Sequence, residues 1–149
     1  MAGNRVFLDT SVLVSALLSP SGGSFYILSS LKSEYIFIIN EYVFEEITRV
    51  LETKFSSRPE LKNYLFMILG TSGILVPSSP SRKLIQNLKG VISKEDGPIL
   101  AGAVDAKSHY LVTLGDEFFG DSAARFAQKH GILILKPKGF IKIHRERNS

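Results

Sequence analysis

Hydrophobic positions along this chain fall into two alternating kinds of run. Short, almost unbroken apolar stretches recur at residues 6–8, 35–39, 74–76, 110–113 and 132–135. A brief continuous apolar run rich in β-branched and aromatic residues is the pattern of a strand buried on both faces. Between these runs the apolar residues return at helical spacing, over residues 11–18, 24–32, 41–55, 60–69, 81–88, 99–107 and 122–129. Turn residues punctuate the pattern. Ser19-Pro20-Ser21-Gly22-Gly23 stops the first helix, Ser56-Ser57-Arg58-Pro59 the third, and Gly131 follows the last. Pro77 closes the short run at 74–76.

Strands separated by helices are βαβ units, and such units build a parallel sheet covered on both faces. With right-handed crossovers the expected fold is α/β: a three-layer α/β/α sandwich around a central parallel sheet. In such folds ligands bind beyond the carboxyl ends of the strands. The residues directly after each strand are therefore the first place to look for chemistry.

Composition narrows the picture. The 149 residues are 44% hydrophobic and 21% charged, which suits one globular domain spanning 1–149. Cysteine is absent, so no disulfide, thiolate metal site or cysteine nucleophile is available. No apolar stretch spans a bilayer, and Asp9 interrupts the first apolar run at once, unlike a signal peptide. The expectation is a cytoplasmic protein with no membrane partner. A net charge of +4 favours a polyanionic partner modestly, and ordinary solubilising charge accounts for it equally well.

Four acids stand where this fold gathers ligands. The first strand runs straight into Asp9-Thr10-Ser11, and the strand at 110–113 runs into Asp116 after Leu114 and Gly115. Asp96 opens the alanine-rich helix. Glu46 lies on the helix after the second strand, whose apolar face is Val43, Phe44, Ile47, Val50 and Leu51. At about 100° per residue Glu46 projects about 40° from Val50, at the border of that face, whereas Glu41, Glu45 and Glu52 project away. Carboxylates held together repel, and a divalent cation relieves that repulsion. Oxygen-only ligation suits Mg²⁺ or Mn²⁺, and such an ion can activate water against a phosphodiester. Thr10, Ser11 and Thr113 are placed to hydrogen-bond these acids or a phosphate, or simply to cap local backbone. Plainer roles exist for the acids too: helix capping for Asp9 and Asp96, a solvated helix face for Glu46, a turn for Asp116.

At these residues the chain resembles the PIN-domain family of ribonucleases. Val6-Phe7-Leu8-Asp9-Thr10-Ser11-Val12-Leu13 is similar to the family's first strand and helix. Val43-Phe44-Glu45-Glu46-Ile47 is similar to its second acidic motif, Asp96-Gly97-Pro98-Ile99-Leu100-Ala101 to its third, and Tyr110-Leu111-Val112-Thr113 with Asp116 to its fourth. The resemblance covers nearly the whole chain in order. It implies metal-dependent endoribonuclease activity on RNA, with Asp9, Glu46, Asp96 and Asp116 as catalytic metal ligands for Mg²⁺ or Mn²⁺. It also implies, for a small stand-alone member, a VapC-like toxin with a small antitoxin partner, often as a homodimer. The chain departs from the family at Ser11, where Asn is frequent, and in having two residues rather than one between Thr113 and Asp116. The alternative is a non-catalytic PIN-like module that binds RNA or protein.

Other chemistries lack their residues. His109, His130 and His144 are scattered, with no zinc-ligand spacing. No nucleophile elbow, Walker A loop or dinucleotide fingerprint occurs. A receiver-like domain would need a lysine partnering a phosphorylatable aspartate, and none is evident. Phe118 and Phe119 read as core packing, with base stacking at the site rim as the alternative. The cationic tail with Lys136, Lys138, Lys142, Arg145 and Arg147 reads as a solvated terminus, or as a set of phosphate contacts.

Overall fold

Four short strands form one all-parallel sheet in the computed structural model, which describes residues 3–148. They are β1 (Arg5–Leu8), β2 (Ile36–Ile38), β3 (Tyr110–Val112) and β4 (Leu133–Leu135), in the order β2-β1-β3-β4. Val6 pairs with both Phe37 and Tyr110, so β1 is central. Val6, Phe7 and Leu8 are fully buried, as an unbroken apolar run requires of a strand covered on both faces.

Eight helices connect and cover the strands among the described residues: α1 (Thr10–Leu18), α2 (Gly23–Ser30), α3 (Glu41–Thr53), α4 (Glu60–Thr71), α5 (Arg82–Gln86), α6 (Gly97–Asp105), α7 (Asp121–Lys129) and α8 (Pro137–Arg147). A single 3₁₀ turn, Asp116–Phe119, follows β3. The chain leaves β1 for β2 on one side, then returns past β1 to β3 on the other. The strand order therefore reverses between β1 and β3, and a crevice opens at their carboxyl ends. No single helix is long and apolar enough to cross a membrane among the described residues.

Two segments depart from their sequence pattern. The run at 74–76 does not become a full strand. Only Leu75 bridges to Ile38, through the Leu75 N–H to Phe37 O and the Ile39 N–H to Leu75 O, before Pro77 ends the ladder. The tail is not a solvated terminus. It folds into α8, with Pro137 in the first turn and Phe140 and His144 buried one turn apart. His144 Nδ1 lies 2.9 Å from the Tyr35 hydroxyl, and Arg147 Nη1 donates to the hydroxyls of Tyr35 and Tyr110 at 3.3 Å each. These bonds tie α8 across the amino-terminal end of the sheet, a cluster that charge counting along the tail does not reveal.

Gly102 lets α6 lie close on β1. A Cβ at this position would run into the Asn40 side chain and stand 2.8 Å from Phe7 Cζ. Both neighbours are fully packed, so neither can yield cheaply. Gly102→Ala is expected to destabilise the fold by about 1–3 kcal/mol despite alanine's better helix propensity. Urea denaturation read by circular dichroism checks this.

Candidate active site

The carboxyl end of β1 supplies three consecutive polar side chains, and each reaches another segment. Asp9 occupies the N-cap position of α1, yet its side chain makes no capping bond. Its carboxylate Oδ2 instead accepts from Thr113 Oγ1 at 2.6 Å and from Ser11 Oγ at 2.8 Å. Both hydroxyls converge on the same oxygen, which fixes the carboxylate's orientation. Asp9 is 6% exposed and Thr113 fully buried, so the Asp9–Thr113 bond joins β1 to β3 across the point where the strand order reverses. Ser11 Oγ also accepts from the Leu114 N–H at 3.1 Å.

Thr10, the middle residue, donates its hydroxyl to Glu46 Oε1 on α3. Glu46 is half-buried, while Glu41, Glu45 and Glu52 are exposed, in agreement with the phase of that helix. The entry to α3 is set by Asn40, a buried residue that the sequence pattern does not single out. Asn40 Oδ1 accepts from the Val43 N–H at 3.0 Å as the helix N-cap, and its Nδ2 donates to Pro98 O at 3.1 Å. One side chain thereby sets the start of α3 against the start of α6, and so Glu46 against Asp96. Tyr42, which the pattern does not mark either, donates its hydroxyl to Glu95 O at 2.8 Å. Burial raises its pKa, and the nearby charges of Glu46 and Asp96 add to this.

Asp96 stands at the N-cap of α6, again without a side-chain capping bond. Its Oδ2 accepts from Ser93 Oγ at 2.9 Å. Burial pushes its pKa up to about 6; the Ser93 hydroxyl offsets part of that, and the charges of Glu117 and Asp9 raise it further. Acids from the ends of β1 and β3 and from the start of α6 therefore feel one another.

Asp116, expected from spacing to complete the set, is turned outward. Its side chain is 92% exposed and pairs with Lys136 Nζ at 3.3 Å. The next residue, Glu117, is exposed as well, but its charge acts on Asp96. Glu117 Oε2 lies by Thr113 Oγ1, both within 3.4 Å of where a Cβ on Gly115 would stand. Of the aromatic pair, Phe118 is buried in the core, whereas Phe119 is exposed with the Lys136 ammonium 5.5 Å from its ring centre.

The donors gathered here are all oxygen, the chemistry of a hard divalent cation. Burial chiefly raises the pKa of Asp96 and the charges of Glu117 and Asp9 add to it, so a cation bound here would favour its ionised form. As the side chains stand, no group of three or more His, Asp or Glu is arranged to hold a metal among the described residues. The acids are neighbours, not a closed cage.

No protein-family model matches the chain. No curated protein matches it. Among solved structures, the crystal structure of VapBC2 from Rickettsia felis bound to a DNA fragment from their promoter contains a chain of the same fold. The two superpose with a TM-score of 0.62 at 17% identity, over 89% of this chain and 98% of that one. The chain thus has a VapC-like PIN fold.

Proposed function

We propose that this chain is a metal-dependent endoribonuclease, with Asp9, Glu46, Asp96 and Glu117 as the acids that hold Mg²⁺ or Mn²⁺. The observation that carries the reading is Asp9 buried at the reversal point of a parallel sheet and bonded across it to Thr113, with Thr10 beside it bonded to Glu46. When bound, a divalent ion there orients water, lowers its pKa and neutralises charge on the phosphate. The protein's share is positional. Thr113 and Ser11 hold Asp9 by one oxygen, Thr10 holds Glu46, and Ser93 holds Asp96. Asp116 keeps Lys136 at the rim of the site. The likeness in fold to a VapBC2 chain supports the finer reading of a cytoplasmic toxin with a small antitoxin partner and a homodimeric state. A non-cutting RNA- or protein-binding module is the second reading, favoured by the absence of a closed acid cage among the described residues.

Titration separates the two readings. The folded-state pKa of Asp96, about 6, lies above its ordinary 3.8, so the folded state holds this proton more tightly than the unfolded chain. In metal-free protein the stability from this group is present below the ordinary value and lost as pH rises through about 6. A cation competes with that proton. Stabilisation by Mn²⁺ should therefore be small near pH 5 and grow as pH passes 6, reaching about 2.7 kcal/mol at a hundredfold excess over Kd. Differential scanning fluorimetry across pH, with and without Mn²⁺, measures this. A melting temperature indifferent to Mn²⁺ at every pH favours the binding module. RNA cleavage dependent on Mg²⁺ or Mn²⁺ and lost in EDTA decides for the nuclease.

A further inference from the structure

A cavity of about 750 Å³ lies between the α1–α2 corner and α8. Leu114, Pro137 and Ile141 are its apolar lining. Lys136, Lys138, Lys142 and Arg145 line it, with Glu146 as the opposing charge, so cations outnumber carboxylates four to one. Lys138, Lys142 and Arg145 are spaced at i, i+4 and i+7 on α8, hence on one face, and span about 10 Å. All three are exposed, unlike Phe140 and His144, which anchor the opposite face.

None of the candidate acids lines the cavity, but two of its lining residues bond to the candidate site or its rim. Leu114 follows Thr113, the residue bonded to Asp9, and its N–H donates to Ser11. Lys136 lines the cavity while pairing with Asp116 and lying against the exposed Phe119 ring. A row of cations along a partly apolar cavity suits an extended single strand, whose phosphates would meet the ammonium and guanidinium groups.

We propose that this cavity is the docking path of the single-stranded RNA flanking the scissile phosphate, with Lys138, Lys142 and Arg145 as its backbone contacts and Lys136 as the hinge to the acids. The proposal rests on the nuclease reading for its orientation but is tested without cleavage. The probe is a fluorescein-labelled single-stranded RNA oligonucleotide, and the readout is fluorescence anisotropy against salt in EDTA, with the Asp9→Asn protein as parent. Lys142→Gln/Arg145→Gln should weaken binding roughly tenfold, the scale of one or two charge-assisted hydrogen bonds. The slope of log affinity against log salt should become shallower by about 1.4, or about 0.7 for each single-strand phosphate that is no longer neutralised. Lys32→Gln/Lys129→Gln, which removes the same charge away from the cavity, should bind like the parent.

Equal binding by the α8 variant, equal loss in the control, or no RNA binding by the parent overturns the proposal. Preference for duplex DNA through the same α8 residues overturns it as well. Cleavage by the wild-type protein without dependence on α8 would leave the nuclease reading standing and this one refuted. Binding that depends on α8, without cleavage in Mn²⁺, would do the reverse.

Discussion

Asp9→Asn is expected to lower RNA cleavage by at least about 1,000-fold, or roughly 4 kcal/mol of transition-state stabilisation, while leaving the fold intact. The separation of the two effects follows from the hydrogen bonds. Both hydroxyls that hold Asp9, on Ser11 and Thr113, donate to the single oxygen Oδ2. An asparagine carbonyl can accept both in the same place, so β1 stays tied to β3. What disappears is the charge, together with one oxygen donor for a cation. In metal-free protein, loss of that charge also eases the repulsion that raises Asp96. The melting temperature should stay level or rise slightly, and stabilisation by Mn²⁺ should vanish. Cleavage of a defined RNA by the purified variant, beside its melting curve, checks both halves. Activity retained in a folded Asp9→Asn protein would count directly against the proposed chemistry.

The second large effect contrasts two adjacent acids. Glu117→Gln should reduce cleavage by about 100-fold or more, and Asp116→Asn by less than about tenfold. Both residues are exposed, but the Glu117 charge acts on Asp96, whereas the Asp116 carboxylate pairs with Lys136 at the rim. A readout besides rate separates a site role from general damage. Removing the Glu117 charge takes away one cause of the raised pKa of Asp96, so the acidic limb of the activity profile should move to lower pH in Glu117→Gln. Asp116→Asn should leave that limb in place. The opposite ranking would restore Asp116 to the position that spacing gives it.

Much of this arrangement is legible along the chain because local pattern and tertiary position agree. The apolar run at β1 is buried on both faces, and the residue after it must emerge at the sheet's carboxyl edge, which is where Asp9 stands. The helical phase of α3 separates Glu46 from its exposed neighbours. Capping is a fair rival explanation for Asp9 and Asp96, and only coordinates show that neither side chain caps its helix.

The rest is hidden for physical reasons. After Thr113 the chain passes Leu114 and Gly115 into a 3₁₀ turn, where successive residues point about 120° apart. Which of Asp116 and Glu117 acts on Asp96 depends on where that turn begins, and residue type does not report it. Asn40 and Tyr42 act through partners 58 and 53 residues away, beyond any local pattern. In the tail, frequent charges mask the apolar spacing of Phe140 and the buried His144, so a docked helix looks like a solvated end.

The central claim is that acids from separate segments share one cation. A crystal structure of the protein grown in Mn²⁺, with data collected for the metal's anomalous signal, tests it most directly. The account predicts an anomalous peak about 2.1 Å from carboxylate oxygens of both Asp9 and Asp96, with Glu117 closer to the ion than Asp116. Full Mn²⁺ loading with no peak touching those two residues, or a peak held elsewhere on the molecule, would contradict it.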